Sequence, residues 1–146
     1  MSKEIERKFL VVGRDFEAMA TEHHEIRQGY LCRDVDHTVR VRTWDDRAYL
    51  TVKSRTVGCT RNEWEYPIPL RDALDMLAGL GRNISKTRWV VPAGDGLRWE
   101  VDVFHGRLEG LVVAEIELPS EDTPFTRPAF VGREVTGDPA YYNSNL

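Results

Sequence analysis

The segment Glu4-Ile5-Glu6-Arg7-Lys8 sets two carboxylates and one ammonium at alternate positions. In a strand the side chains alternate faces, so Glu4, Glu6 and Lys8 share one side while Ile5, Arg7, Phe9 and Val11 take the other. The two carboxylates then stand about 7 Å apart. Hard carboxylate oxygens at that spacing suit a divalent cation, and an ammonium one step further suits an anion travelling with it. A charged outer face is also the ordinary state of a half-buried antiparallel strand. Recurrence of the pattern along the chain is what separates the two readings.

It does recur. A second strand is expected over His24 to Cys32, with Ile26, Gln28 and Tyr30 on one face and Gly29 marking a bulge or a close backbone approach. Thr38 to Thr43 alternates strictly, Val39 and Val41 against Arg40 and Arg42. Asp45-Asp46 turns the chain into Ala48 to Arg55, where Leu50 and Val52 oppose Thr51, Lys53 and Arg55. Arg61 to Pro67 sets Arg61, Glu63 and Glu65 against Trp64 and Tyr66. Three later strands repeat the scheme: Ile84 to Val91 with Lys86 and Arg88, Arg98 to Phe104 with Arg98, Glu100 and Asp102, and Leu111 to Leu118 with Glu115 and Glu117. Only two stretches break the period. Phe16 to Ala20 makes one helical turn, and Leu70 to Leu77 places Leu70, Ala73, Leu74 and Leu77 at helical spacing. The tail, with Asp138-Pro139-Ala140, reads as short helices capping one end of the sheet.

Composition narrows the function classes. At 146 residues, 41% hydrophobic and 30% charged, the chain is expected to form one globular domain spanning 1–146. No apolar run reaches the roughly 18 residues of a membrane span, and no apolar signal region precedes the first strand, so the expectation is a cytoplasmic protein without a membrane partner. A net charge of -4 argues against a nucleic-acid partner. Cys32 and Cys59 lack metal-ligand spacing and read as reduced filler. His23, His24, His37 and His105 fall in loops or at strand ends and receive no role.

Collected together, the charged faces carry eight acids (Glu4, Glu6, Glu63, Glu65, Glu100, Asp102, Glu115, Glu117) and eight bases (Lys8, Arg40, Arg42, Lys53, Arg55, Arg61, Lys86, Arg88), largely segregated by strand. The expected fold class is mainly β (α+β): an eight-stranded antiparallel sheet closed into a barrel, with a few short helices. With the charged face inward, the lumen must pair its charges or bind ions. A compact polyanion with Mg2+ or Mn2+ is the expected guest.

The opening Glu4-Ile5-Glu6-Arg7-Lys8, together with Thr38-Val39-Arg40-Val41-Arg42, Leu50-Thr51-Val52-Lys53, Arg61-Asn62-Glu63-Trp64-Glu65, Ile84-Ser85-Lys86-Thr87-Arg88, Trp99-Glu100-Val101-Asp102-Val103-Phe104 and Ala114-Glu115-Ile116-Glu117-Leu118, resembles the CYTH superfamily of triphosphate tunnel metalloenzymes, in order and over essentially the whole chain. The length and the stretch from His105 to Pro119 look most like the single-domain bacterial members that hydrolyse inorganic triphosphate. The resemblance implies metal-holding roles for Glu4, Glu6, Asp102, Glu115 and Glu117, and triphosphate-binding roles for Lys8, Arg40, Arg42, Lys53, Lys86 and Arg88. Glu63, Glu65 and Glu100 are either further ligands or, the favoured reading, neutralising partners of the basic strands. Tyr30 facing Lys86 is the candidate catalytic pair, Tyr30 serving either as a base or as a wall residue that donates a hydrogen bond. The alternatives are an adenylyl cyclase making cyclic AMP from ATP, a thiamine or nucleoside triphosphatase, and a non-catalytic polyphosphate or nucleotide sensor. The exposed tail leaves room for a homodimer.

Overall fold

Hydrogen bonding between strands closes the sheet on itself. The computed structural model describes residues 2–146. Its elements are β1 (Ser2–Val11), α1 (Phe16–Met19), β2 (Glu22–Arg33), β3 (His37–Trp44), β4 (Arg47–Ser54), β5 (Thr60–Pro67), α2 (Leu70–Ala78), β6 (Ile84–Gly94), β7 (Leu97–Phe104), β8 (Val112–Glu117) and β9 (Val131–Glu134). The order β5-β4-β3-β2-β6-β7-β8-β1 is antiparallel, and β1 pairs back onto β5 to complete an eight-stranded barrel. Closure removes the open edges that would otherwise pair with another chain. No helix among the described residues is long and apolar enough to cross a membrane.

Register brings the charged positions into one lumen. Glu6 pairs with Glu117 and Lys8 with Glu115 across β1 and β8, and Arg88 pairs with Asp102 across β6 and β7. Turn chemistry holds these registers: Asp45 in the β3–β4 turn and Asp95 in the β6–β7 turn both have φ of 54°, a left-handed conformation that Asp tolerates better than most residues. Gly29 marks a close approach, as its isolation within a strand predicts. A Cβ there would stand 2.6 Å from Leu80 Cδ1 and 2.9 Å from Asn83 Oδ1, just past the end of α2. A bulge follows between Tyr30 and Cys32.

The apolar faces turn outward and need cover. Helix α2 lays Ala73 and Leu77 on Val41 and Ala48, but Leu74, which fits the same periodicity, is 44% exposed. The largest cover comes from a region with no strand or helix signal in the sequence. Phe125, Phe130 and Val131 of the tail join Phe16 of α1 over Phe9, Trp99, Val101, Ala114 and Ile116. Phe9, Trp99, Phe125 and Phe130 meet edge to face with ring centres 5.5 to 6.3 Å apart. The tail thus differs from the expectation of short helices alone: residues Pro139–Tyr141 and Asn143–Asn145 do form 3-10 turns, but β9 adds a ninth strand beside β1. Four residues containing Gly132 carry too little alternation to reveal it.

At one end of the lumen the inward positions become apolar. Ile84, Phe104 and Val113 pack with Leu10, Leu108, Leu111 and Leu146 as a plug. If the tail is part of the core, Phe130→Ala should lower unfolding stability by about 3 to 5 kcal/mol. Urea denaturation checks this, and a loss below about 1 kcal/mol would mean that the tail does not cover the barrel.

Candidate active site

The inward face gathers nearly every charged residue expected of it. Glu4, Lys8, Arg40, Arg42, Lys53, Lys86, Arg88, Asp102 and Glu115 are buried. All but Arg40 and Arg42 are held in three knots. In the first, Lys53 Nζ donates to both Glu4 oxygens at 3.0 and 3.1 Å, Arg61 Nε donates to Glu4 Oε1 at 3.1 Å, and Glu63 stands 3.3 Å from Lys53. In the second, Lys8 Nζ lies 3.3 Å from Glu115 Oε1 and donates to the Tyr141 carbonyl at 2.9 Å. In the third, Arg88 grips Asp102 through Nε and Nη2 at 2.8 and 2.9 Å and reaches Glu100 at 3.3 Å, while Lys86 Nζ lies 2.7 Å from the same Asp102. Glu63 and Glu100 therefore stand as partners of bases, and Glu65 stands 3.6 Å from Arg40.

Several supporting residues carry no charge and gave no signal of their own. Gln28, fully buried, accepts from Arg42 Nε at 2.8 Å. Thr51 Oγ1 accepts from Arg40 at 3.2 Å and donates to Glu65 at 2.8 Å. The Arg88 guanidinium lies 5.6 Å from the Trp44 ring centre. Gln28 and Thr51 were placed on the correct faces by strand alternation, but polarity alone did not distinguish them from wall residues.

A cavity of about 580 Å3, including its open mouth, is lined by Glu4, Glu6, Lys8, Tyr30, Arg61 and part of the tail. Tyr30 therefore faces the metal-type carboxylates. Lys86 is not among the lining residues; it is fully buried beside Asp102, 5.3 Å from the Phe104 ring centre. The expected Tyr30–Lys86 facing pair is not a contact in this structure.

Electrostatics shows where the charges do not balance. Burial alone would raise the pKa of Glu4, Asp102 and Glu115, but adjacent bases reverse the effect: Lys53 and Arg61 for Glu4, Arg88 and Lys86 for Asp102, Lys8 and Arg88 for Glu115. All three are held below the usual carboxylate range. Glu6 behaves oppositely. Burial, then Glu115 and Glu4, push it up to about 8. Partial burial, then Glu4, Glu100 and Glu63, push Glu117 up to about 7. Burial also lowers Lys86 to about 7, with Asp102 opposing and Arg88 and Arg42 adding to the shift.

This pattern bears on a divalent cation. The donors are hard carboxylate oxygens, Glu115 Oε1 is buried without a hydrogen bond, and Glu6 takes up a proton where negative charge is in excess. The chemistry fits, but the cage is not preformed: among the described residues no three Asp, Glu, His or Cys side chains are grouped to hold a metal. Glu4 and Asp102 are occupied by their bases.

Comparison with known proteins joins this geometry to a family. The model of the CYTH domain matches residues 2–142. The chain belongs to the CYTH family. An inorganic triphosphatase of Acetivibrio thermocellus is 49% identical over 148 residues, covering 100% of this chain and 94% of the relative. An inorganic triphosphatase of Nitrosomonas europaea is 40% identical over 149 residues, covering 98% and 95%. The crystal structure of the inorganic triphosphatase NE1496 matches at a TM-score of 0.67 and 36% identity, covering 99% of this chain and 94% of that one.

The shifts in this CYTH domain fix the sign of its pH response. Between about 4.5 and 8 only folded Glu6 keeps its proton, so stability falls as pH rises. Glu117 acts in the same sense up to about 7. Below about pH 4 stability is lost as Glu4, Asp102 and Glu115 are forced to protonate. Lys86 has the opposite slope to Glu6 above about pH 7. Thermal unfolding of the metal-free protein should therefore peak near pH 5 and decline towards pH 7. Millimolar Mg2+ should flatten that decline, and a midpoint that rises steadily from pH 5 to 7 without metal would contradict the assignment of Glu6.

Proposed function

We propose that this chain hydrolyses inorganic triphosphate to pyrophosphate and phosphate, in the cytoplasm and as a single domain, with Mg2+ or Mn2+ as cofactor. The observation that carries the reading is the enclosure of six buried bases, Lys8, Arg40, Arg42, Lys53, Lys86 and Arg88, with buried acids in one closed lumen. An interior so charged is suited to exchange its internal partners for a polyanion and a cation. Glu4, once free of Lys53, and Asp102, once free of Arg88 and Lys86, would hold the cation together with Glu6, Glu115 and Glu117, and the freed bases would take phosphoryl oxygens. Metal and triphosphate therefore bind cooperatively, because either alone leaves one set of charges unpaired.

The bound cation supplies charge neutralisation at the phosphoryl oxygens. The protein's own residues do the positioning. Arg40 and Arg42, propped by Thr51 and Gln28, fix the anion. A water oxygen attacks the terminal phosphorus, the bond from that phosphorus to the bridging oxygen breaks, and pyrophosphate departs with the bond's electrons. Tyr30, at the cavity wall beside Glu4, Glu6 and Lys8, accepts the water proton, and Lys86, once drawn off Asp102, serves among the phosphoryl-binding bases.

The test is product analysis from inorganic triphosphate, ATP and thiamine triphosphate, with Mg2+, Mn2+ or chelator. Metal-dependent release of phosphate and pyrophosphate from inorganic triphosphate in clear preference to the others is expected; cyclic AMP from ATP, or tight binding without products, would replace the reading. Glu4→Gln should reduce kcat by roughly 100-fold or more, whereas Arg40→Ala should act mainly on KM. Tyr30→Phe should lower kcat at nearly unchanged KM. Equal activity in all three variants would sink the assigned site.

A further inference from the structure

The lumen's two ends differ in charge. One end carries the β3–β4 and β6–β7 turns, and its surface depression mixes Glu100 and Glu117 with Lys3 and Arg98. The other end carries the β2–β3 and β4–β5 turns and the tail. There a groove of about 770 Å3, open to solvent, is lined by Arg33, Arg55 and Arg61 and by no carboxylate. It shares Thr38, Thr56, Arg61, Tyr142 and Ser144 with the central cavity, so the two spaces adjoin across these residues.

None of the assigned substrate-binding bases lies in this groove. Arg33 and Arg55 are exposed, and Arg55 Nε donates to Asp36 Oδ1 at 2.8 Å, which orients its guanidinium without burying it: the two side chains are 58% and 59% exposed. Arg61 links outside to inside, since it lines both spaces and donates to Glu4. On a chain of net charge -4, Arg55 and Arg61 are each paired with one carboxylate, whereas Arg33 forms no ion pair among the described residues and so leaves the groove a local cationic surface. A concave site walled by protein focuses the field.

We propose that this groove is an outer anion-binding site that captures condensed phosphate and passes it into the tunnel. The proposal rests on the triphosphatase reading for the identity of the anion. Arg33 and Arg55 raise the rate of encounter, and Arg61 is the hand-over point. The pairing of Arg55 with Asp36 leaves its two terminal nitrogens for phosphoryl oxygens. Because the site acts before chemistry, its loss affects association and leaves saturated turnover unchanged.

The experiment compares the full chain with the R33Q/R55Q and R33K/R55K double variants. Arg61 is left intact because it holds Glu4. With Mg2+ present, the association rate of inorganic triphosphate is followed by stopped-flow tryptophan fluorescence from low to physiological ionic strength, and kcat by phosphate release. R33Q/R55Q should associate roughly tenfold more slowly at low salt, with a flatter salt dependence and the same kcat. R33K/R55K, which keeps the charge, should recover most of both. Equal association rates and salt slopes in the wild type and R33Q/R55Q would overturn the proposal, as would a lysine variant no better than the glutamine one. If the wild type binds triphosphate without hydrolysing it, the catalytic reading fails instead, and the association rates still decide the outer site.

Discussion

Mutual neutralisation of buried charges is the constraint on which this structure depends. An isolated ion inside a protein costs several kcal/mol, and an ion pair recovers that only with good geometry and additional hydrogen bonds. The lumen meets the condition almost everywhere: Glu4 has two cationic partners, Asp102 is gripped bidentately, and Arg42 is backed by Gln28. Where it is not met, the group gives up its charge. Glu6 takes a proton and Lys86 tends to lose one. Burial is the first cause of both departures, and the like charges around them, Glu115 and Glu4 at Glu6, Arg88 and Arg42 at Lys86, add to it.

The rest of the fold is arranged to keep that enclosure fixed. An outward apolar face left in water is unfavourable in proportion to its area, so α1, α2 and the aromatic segment around Phe125 and Phe130 cover it from outside. A lumen open at both ends would hydrate its ion pairs and weaken them by raising the local dielectric. At the end that carries the tail, the apolar plug around Phe104 and Val113 limits that access on the β6, β7 and β8 side, and the Tyr141 carbonyl covers Lys8 of β1. Outer packing and inner electrostatics are thereby coupled through the same strands. Phe9 and Lys8 are neighbours in β1, one in the outer core and the other in the charged interior.

The tail links the two layers. Its first part supplies aromatic cover and β9, and its second supplies the 3-10 turns whose Tyr141 carbonyl accepts from Lys8. Arg7 on the outward face is fixed by Glu134 through two hydrogen bonds of 2.8 and 2.6 Å, so the single charge in an otherwise apolar row of β1 is explained by β9. A segment with little regular structure of its own thus sets the exterior and one wall of the cavity.

Alternation of residue types was sufficient to determine the strands, the inward direction of Glu4, Lys8, Arg40, Lys53 and Arg88, and the antiparallel barrel, because a period of two leaves each side chain only one of two faces. Ordered motifs added the family. What sequence alone did not contain was distance between strands. Which acid meets which base, Asp102 with both Arg88 and Lys86 rather than Tyr30 with Lys86, depends on register, which sets Arg88 opposite Asp102 and Lys86 opposite Ile26, four residues short of Tyr30. The role of Phe130 and of β9 was equally hidden, since an irregular segment has no period and its burial is decided by the surface it covers. The sequence by itself determined which side chains share a face. Tertiary closure decided which of them meet, because proximity across a barrel is set by strand order and stagger and not by position along the chain.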